Sequence, residues 1–227
     1  MTSHTDKQYI YTKEIKQGKI KLEGANLWLM DWIYETYGVR PLNVYYNYEE
    51  GNHPAFIEIV FEFEEDMQPF TTAEYLRFEK DYEKSEEFLN DQIKKEAIAD
   101  KYDYLIDPKY TLMPMRVMYS AFEPIAKEEA QANISFEDLE KLRSEIGDKD
   151  IWKIINPGIF FFNTQEQMKR NDNEDTKNYL KGKYFDLLKK YDEFDYFKRE
   201  SLSIKLDSKD NFYKNYQSNW QYYLTDK

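Results

Sequence analysis

From residue 20 onward the apolar positions fall into helical and strand periods by turns. Leu22, Ala25, Leu29, Trp32 and Ile33 share one face of a predicted helix over 20–37, which Gly38 and Pro41 bring to a stop. Two strand-like runs follow, 42–48 and 56–64, with Glu-Glu-Gly-Asn-His-Pro between them, so an antiparallel hairpin with a longer loop is predicted. In the second run Ile57, Ile59, Phe61 and Phe63 alternate with Glu58, Val60, Glu62 and Glu64. One face is therefore apolar, and the other carries three carboxylates at steps of about 6–7 Å. If the first run pairs here, Asn43, Tyr45 and Asn47 share the carboxylate face, which is expected to be wet.

The pattern then turns helical. Tyr75, Phe78, Tyr82, Leu89, Ile93 and Ala97 mark the buried stripe of a long helix over 72–100. Residues 115–121 alternate as a strand. Ser135 with Asp138 reads as a capping box opening a short helix that Gly147 closes. The runs 151–155 and 159–163 flank Asn156-Pro157-Gly158, a type II turn on composition, and their apolar character on both faces predicts central strands. Thr164 with Gln167 is a second capping box, and Leu180, Tyr184, Leu187, Leu188 and Tyr191 define a further amphipathic helix. A strand over 201–207, a short helix over 208–216 and an extended end over 219–224 complete the reading.

No Gly-, Pro- or Ser-rich stretch marks a linker. The expected organisation is an N-terminal arm, 1–19, and a single α+β domain, 20–227, with a mixed, largely antiparallel sheet and several amphipathic helices. A loose likeness between 78–89 and 188–202 is one of composition, and no repeat is read. The first eight residues lack the apolar core of a secretory signal. The longest apolar runs are tetrads such as Leu27–Met30, whereas a membrane-spanning helix needs about 20 residues. With no cysteine in the chain, a reducing compartment is expected, and the cytoplasm is the predicted location.

Charge changes the picture most. The net charge is −12, which opposes general binding to nucleic acid. It is unevenly spread: residues 49–103 hold 17 acidic and 6 basic side chains. After Arg40 no Lys or Arg occurs until Arg77, while Glu49, Glu50, Glu58, Glu62, Glu64, Glu65, Asp66 and Glu74 all fall between. Such a cluster makes a local field that steers a basic partner. The partner-binding residues predicted are Tyr45, Glu49, Glu50, Glu58, Glu62 and Glu64, Tyr adding contact area at low entropy cost.

Candidate chemistry is sparse. The sequence has no Gly-x-Ser-x-Gly, no Gly-rich phosphate loop and no His-Glu-x-x-His. His53, in the hairpin loop beside Glu49 and Glu50, reads as a turn residue. Asn-Asp-Asn-Glu-Asp at 171–175 lacks the EF-hand pattern and reads as a polar inter-helix loop. Asp103, Asp107 and Lys109 make only a faint nuclease-like grouping. Lys13, Lys16, Lys19 and Lys21 read as a solvated helix face or arm, and the aromatic run at 219–223 as an anchor for the chain end.

The expectation is therefore a non-catalytic acidic binding module without a cofactor. An intracellular immunity or inhibitor protein that neutralises a basic partner, such as a nuclease toxin, would have these properties. The alternative is a divalent-cation-dependent hydrolase built on Glu58, Glu62 and Glu64.

Overall fold

The computed structural model describes residues 1, 3–22, 25–47, 56–71 and 116–225. The fold is α+β, and the chain divides into two compact units at Ile125/Ala126. Each unit is organised around a three-stranded mixed sheet.

In the first unit, helix α1 (Lys7–Lys16) precedes α2 (Ala25–Tyr37), then strands β1 (Asn43–Asn47) and β2 (Phe56–Phe61). A 3-10 turn (Glu65–Met67) leads into the short α3 (Gln68–Thr71), and β3 (Arg116–Ala121) completes the sheet. Strand β2 is central: β1 pairs with it antiparallel and β3 parallel. The predicted alternation places Ile57, Ile59 and Phe61 inward with Val44, where Leu29, Met30 and Ile33 of α2 cover them. Phe70 extends this core by stacking on Phe61 at 5.2 Å and on Tyr119 at 5.1 Å.

Helix α1, within the expected N-terminal arm of residues 1–19, packs into the first unit. Tyr9 and Thr12 of α1 are fully buried, and the Tyr9 ring stacks on Phe122 at 5.0 Å. The spacing of Tyr9, Thr12 and Lys16 is helical, but only two positions are buried, too thin a stripe to stand out among lysines.

Helix α4 (Phe122–Ala132) follows β3 without a break, and the division between the units falls inside it. The second unit continues with α5 (Phe136–Ile146), β4 (Ile151–Ile155), β5 (Ile159–Phe162), α6 (Gln165–Asn171) and α7 (Glu174–Leu188). It ends with β6 (Lys205–Ser208), α8 (Lys209–Tyr216) and α9 (Trp220–Thr225). Both predicted capping boxes are present: Ser135 with Asp138 opens α5, and Thr164 with Gln167 opens α6. Gly147 ends α5 at φ +70°, a conformation that costs glycine little.

Strand β5 lies between antiparallel β4 and parallel β6, and all four of its residues are buried. Phe160 and Phe162 face a core with Leu139, Leu142, Leu180 and Leu187; Ile159 and Phe161 face Phe212 and Tyr223. Helices on both faces explain why β5 is apolar throughout. β4, expected to be central, is an edge strand with a register shift between Ile151 and Lys153. The Asn156–Pro157 peptide is cis, with Gly158 following at φ +58°. The chain end is a helix rather than an extended segment, because the Asn219 side chain accepts from the backbone N–H of Gln221 at 2.9 Å.

The two units follow one plan. A helix ending at a left-handed glycine (Gly38, Gly147) leads to an antiparallel hairpin. A third strand then adds parallel to the second, and a helix starts at the next residue.

Candidate functional site

The carboxylates singled out in the sequence lie on β2 and in the turn after it. Strand register places Tyr45 across from Glu58, on the face predicted for both. That face is not wet, however. Glu58 is only 2% exposed, and Asn43 and Val60 are fully buried. Helix α1 covers them, which no periodicity within β2 could disclose.

The cover is polar and partly cationic. The Met1 ammonium group pairs with Glu58, and burial holds its pKa below the ordinary value while Asp6 opposes the shift. Lys16 Nζ lies 2.7 Å from Glu62 Oε1. Asn43 Nδ2 donates to Thr12 Oγ1 at 3.1 Å, and Thr12 in turn donates to the Gln8 carbonyl at 2.7 Å. Asn43 Oδ1 and Ser120 Oγ are buried on strands either side of Val60 and find no hydrogen-bond partner among the described residues. A buried polar atom without a partner costs about 1–3 kcal/mol.

Beyond the strand end the carboxylates reach solvent. Glu64 and Glu65 are exposed and form no ion pair among the described residues, and Asp66 accepts from the Phe63 N–H at 3.2 Å. Tyr45 is half-buried. Of the six predicted partner-binding residues, Glu58 is enclosed, Glu62 is bridged to Lys16, Glu64 is exposed without an ion pair among the described residues, and Tyr45 is partly accessible. Glu49, Glu50 and His53 lie outside the described residues, as do the predicted helix over 72–100 and the grouping of Asp103, Asp107 and Lys109.

Glu58 and Glu62 pair with different cations, the Met1 ammonium and Lys16. Among the described residues no group of three or more His, Asp or Glu side chains could hold a metal ion. The 171–175 loop is a helix junction: Asn173 caps α7 by accepting from the Thr176 N–H at 3.0 Å, and Asp172 pairs with Lys177 at 2.5 Å. No described helix is long and apolar enough to cross a membrane.

Sequence reasoning missed a second buried carboxylate, Asp207 in β6. Its Oδ2 accepts from the Tyr223 hydroxyl at 2.6 Å, and its Oδ1 accepts from Ser208 N–H and Asn211 Nδ2 at 2.7 and 2.8 Å. Burial, then this bond to Asp207, push the Tyr223 phenol pKa far up. These bonds tie Asp207 to Asn211 of α8 and Tyr223 of α9, which makes it an anchor for both helices. No family model, curated protein or solved structure matches this chain.

Proposed function

We propose that the protein is a non-catalytic binding module that captures a basic partner protein at the acidic end of its first sheet. The observation carrying this reading is the run of 36 residues, 41–76, that contains eight carboxylates and no Lys or Arg. Glu64 and Glu65 project from it into solvent without ion pairs among the described residues. Glu62 accepts Lys16, which supports the idea that a lysine from outside the sheet suits this surface. Tyr45, Glu49 and Glu50 extend the proposed contact region.

Electrostatic steering speeds encounter, a property that suits an inhibitor or immunity protein neutralising a basic nuclease in the cytoplasm. Direct binding to nucleic acid does not belong to this reading, because the net charge of −12 repels phosphate.

The test compares the wild-type chain with the double variant Glu64→Gln, Glu65→Gln as tagged baits at low and high salt. A basic protein held stoichiometrically by the wild type, and lost on either charge removal or added salt, supports the reading. Failure to hold any such protein, or capture indifferent to both changes, overturns it.

A further inference from the structure

Apart from the acidic sheet, the second unit carries an apolar pocket of about 310 Å³ along the open edge of β4. That volume is at the lower end of the range for small-molecule sites, about 300–1,000 Å³. Its walls come from α5 (Phe136, Leu139), β4 (Ile154, Ile155) and α9 (Trp220, Leu224). Phe136 is 59% exposed and Leu224 50% exposed, so apolar surface remains open to solvent at its rim.

One charged group lines it. Lys153 Nζ sits 4.9 Å from the Trp220 ring centroid and 5.8 Å from that of Phe136. Aromatic faces stabilise a cation without neutralising it. No carboxylate lines the pocket, and Lys153 forms no ion pair among the described residues. Asn156, the other polar residue of the lining, is already committed: its Nδ2 donates to the Gln131 carbonyl at 2.6 Å and its Oδ1 accepts from Tyr184. An occupant therefore meets an apolar wall and a single unneutralised cation.

We infer that this pocket binds a small amphipathic carboxylate, an aryl or alkyl acid whose body lies on Ile155, Leu139 and Leu224 and whose anionic head meets Lys153. A positive side chain on an edge strand also deters strand-to-strand association, a duty that Lys153 performs without any pocket. Apolar walls converging on one side of that cation are what a guard residue alone does not require.

Phenylbutyrate and its uncharged analogue phenylbutyramide, titrated separately onto the full chain and followed by methyl and indole NMR, test the site. The acid is expected to shift the Leu139, Ile155 and Leu224 methyls and the Trp220 indole, with the amide about tenfold weaker, equivalent to about 1.4 kcal/mol. Lys153→Met, which keeps the apolar stem, should abolish the preference for the acid while the remaining spectrum stays folded. Phe136→Ala, at a position 59% exposed, should weaken both ligands. Absence of shifts at these residues, equal affinity for acid and amide, or a preference that survives Lys153→Met would overturn the assignment.

Discussion

Tyr223 donates its phenolic proton to Asp207 Oδ2 across 2.6 Å, tying the last helix to the last strand with both side chains buried. Removal of the hydroxyl leaves that carboxylate oxygen without its phenolic donor in a site closed to water. Tyr223→Phe should cost about 1–3 kcal/mol, read as a lowered denaturant midpoint with an unchanged slope. An unchanged midpoint would mean that water reaches Asp207 after all.

Tyr184 gives the fold an alkaline limit. Burial pushes its phenol up to about 12, with a backbone bond to Gly158 opposing. In the unfolded chain a tyrosine titrates near pH ~10, so between these values the folded state binds more protons. This contribution to stability is full below pH ~10 and is lost as pH rises through about 12. Tyr184→Phe should flatten that part of a stability–pH curve, at a cost near neutrality of about 1 kcal/mol for the lost bond to Asn156. A curve of the same steepness in the variant would assign the alkaline loss to other groups.

Glu58 and Glu64 sit six residues apart in one predicted row, yet they should respond differently to loss of charge. Glu58→Gln alters a side chain only 2% exposed and should destabilise by about 1–3 kcal/mol. Glu64→Gln, at an exposed position, should stay within about 0.5 kcal/mol. Thermal denaturation of the two variants side by side separates enclosed from accessible carboxylate, and equal effects would contradict the cover that α1 forms.

Gly158 combines a left-handed backbone with a crowded neighbour. A Cβ there would lie 3.0 Å from Tyr184 Cε1 and 3.4 Å from Ile204 Cγ2, at φ +58°. Gly158→Ala should therefore cost about 1–3 kcal/mol. Calorimetry showing no loss would mean that the Tyr184 ring can withdraw without disturbing the core.

What the sequence disclosed was local chemistry. Ser135 with Asp138 and Thr164 with Gln167 name helix starts because cap and partner lie within one turn. The alternation in β2 names its inner face for a similar reason, since period two is a property of neighbouring residues. The environment of the outer face depends on residues far away in sequence, so Glu58 is enclosed where alternation alone predicts a wet position. The edge position of β4 was hidden in the same way: its apolar residues report helices on either side, not how many strands flank it. Asn219 caps the last helix within two residues, a local signal of the same kind as the two capping boxes.

The shared plan of the two sheets sets an order of assembly. Each hairpin joins strands close in sequence, while each central strand acquires its parallel partner only after a long crossover. Until β6 arrives, β5 presents one unpaired edge composed of Ile159, Phe160, Phe161 and Phe162. A nascent chain halted before residue 205 thus carries β5 paired with β4 on one side and without its parallel partner on the other. In the interval between making β5 and making β6, that unpaired apolar edge is open to pairing with other chains.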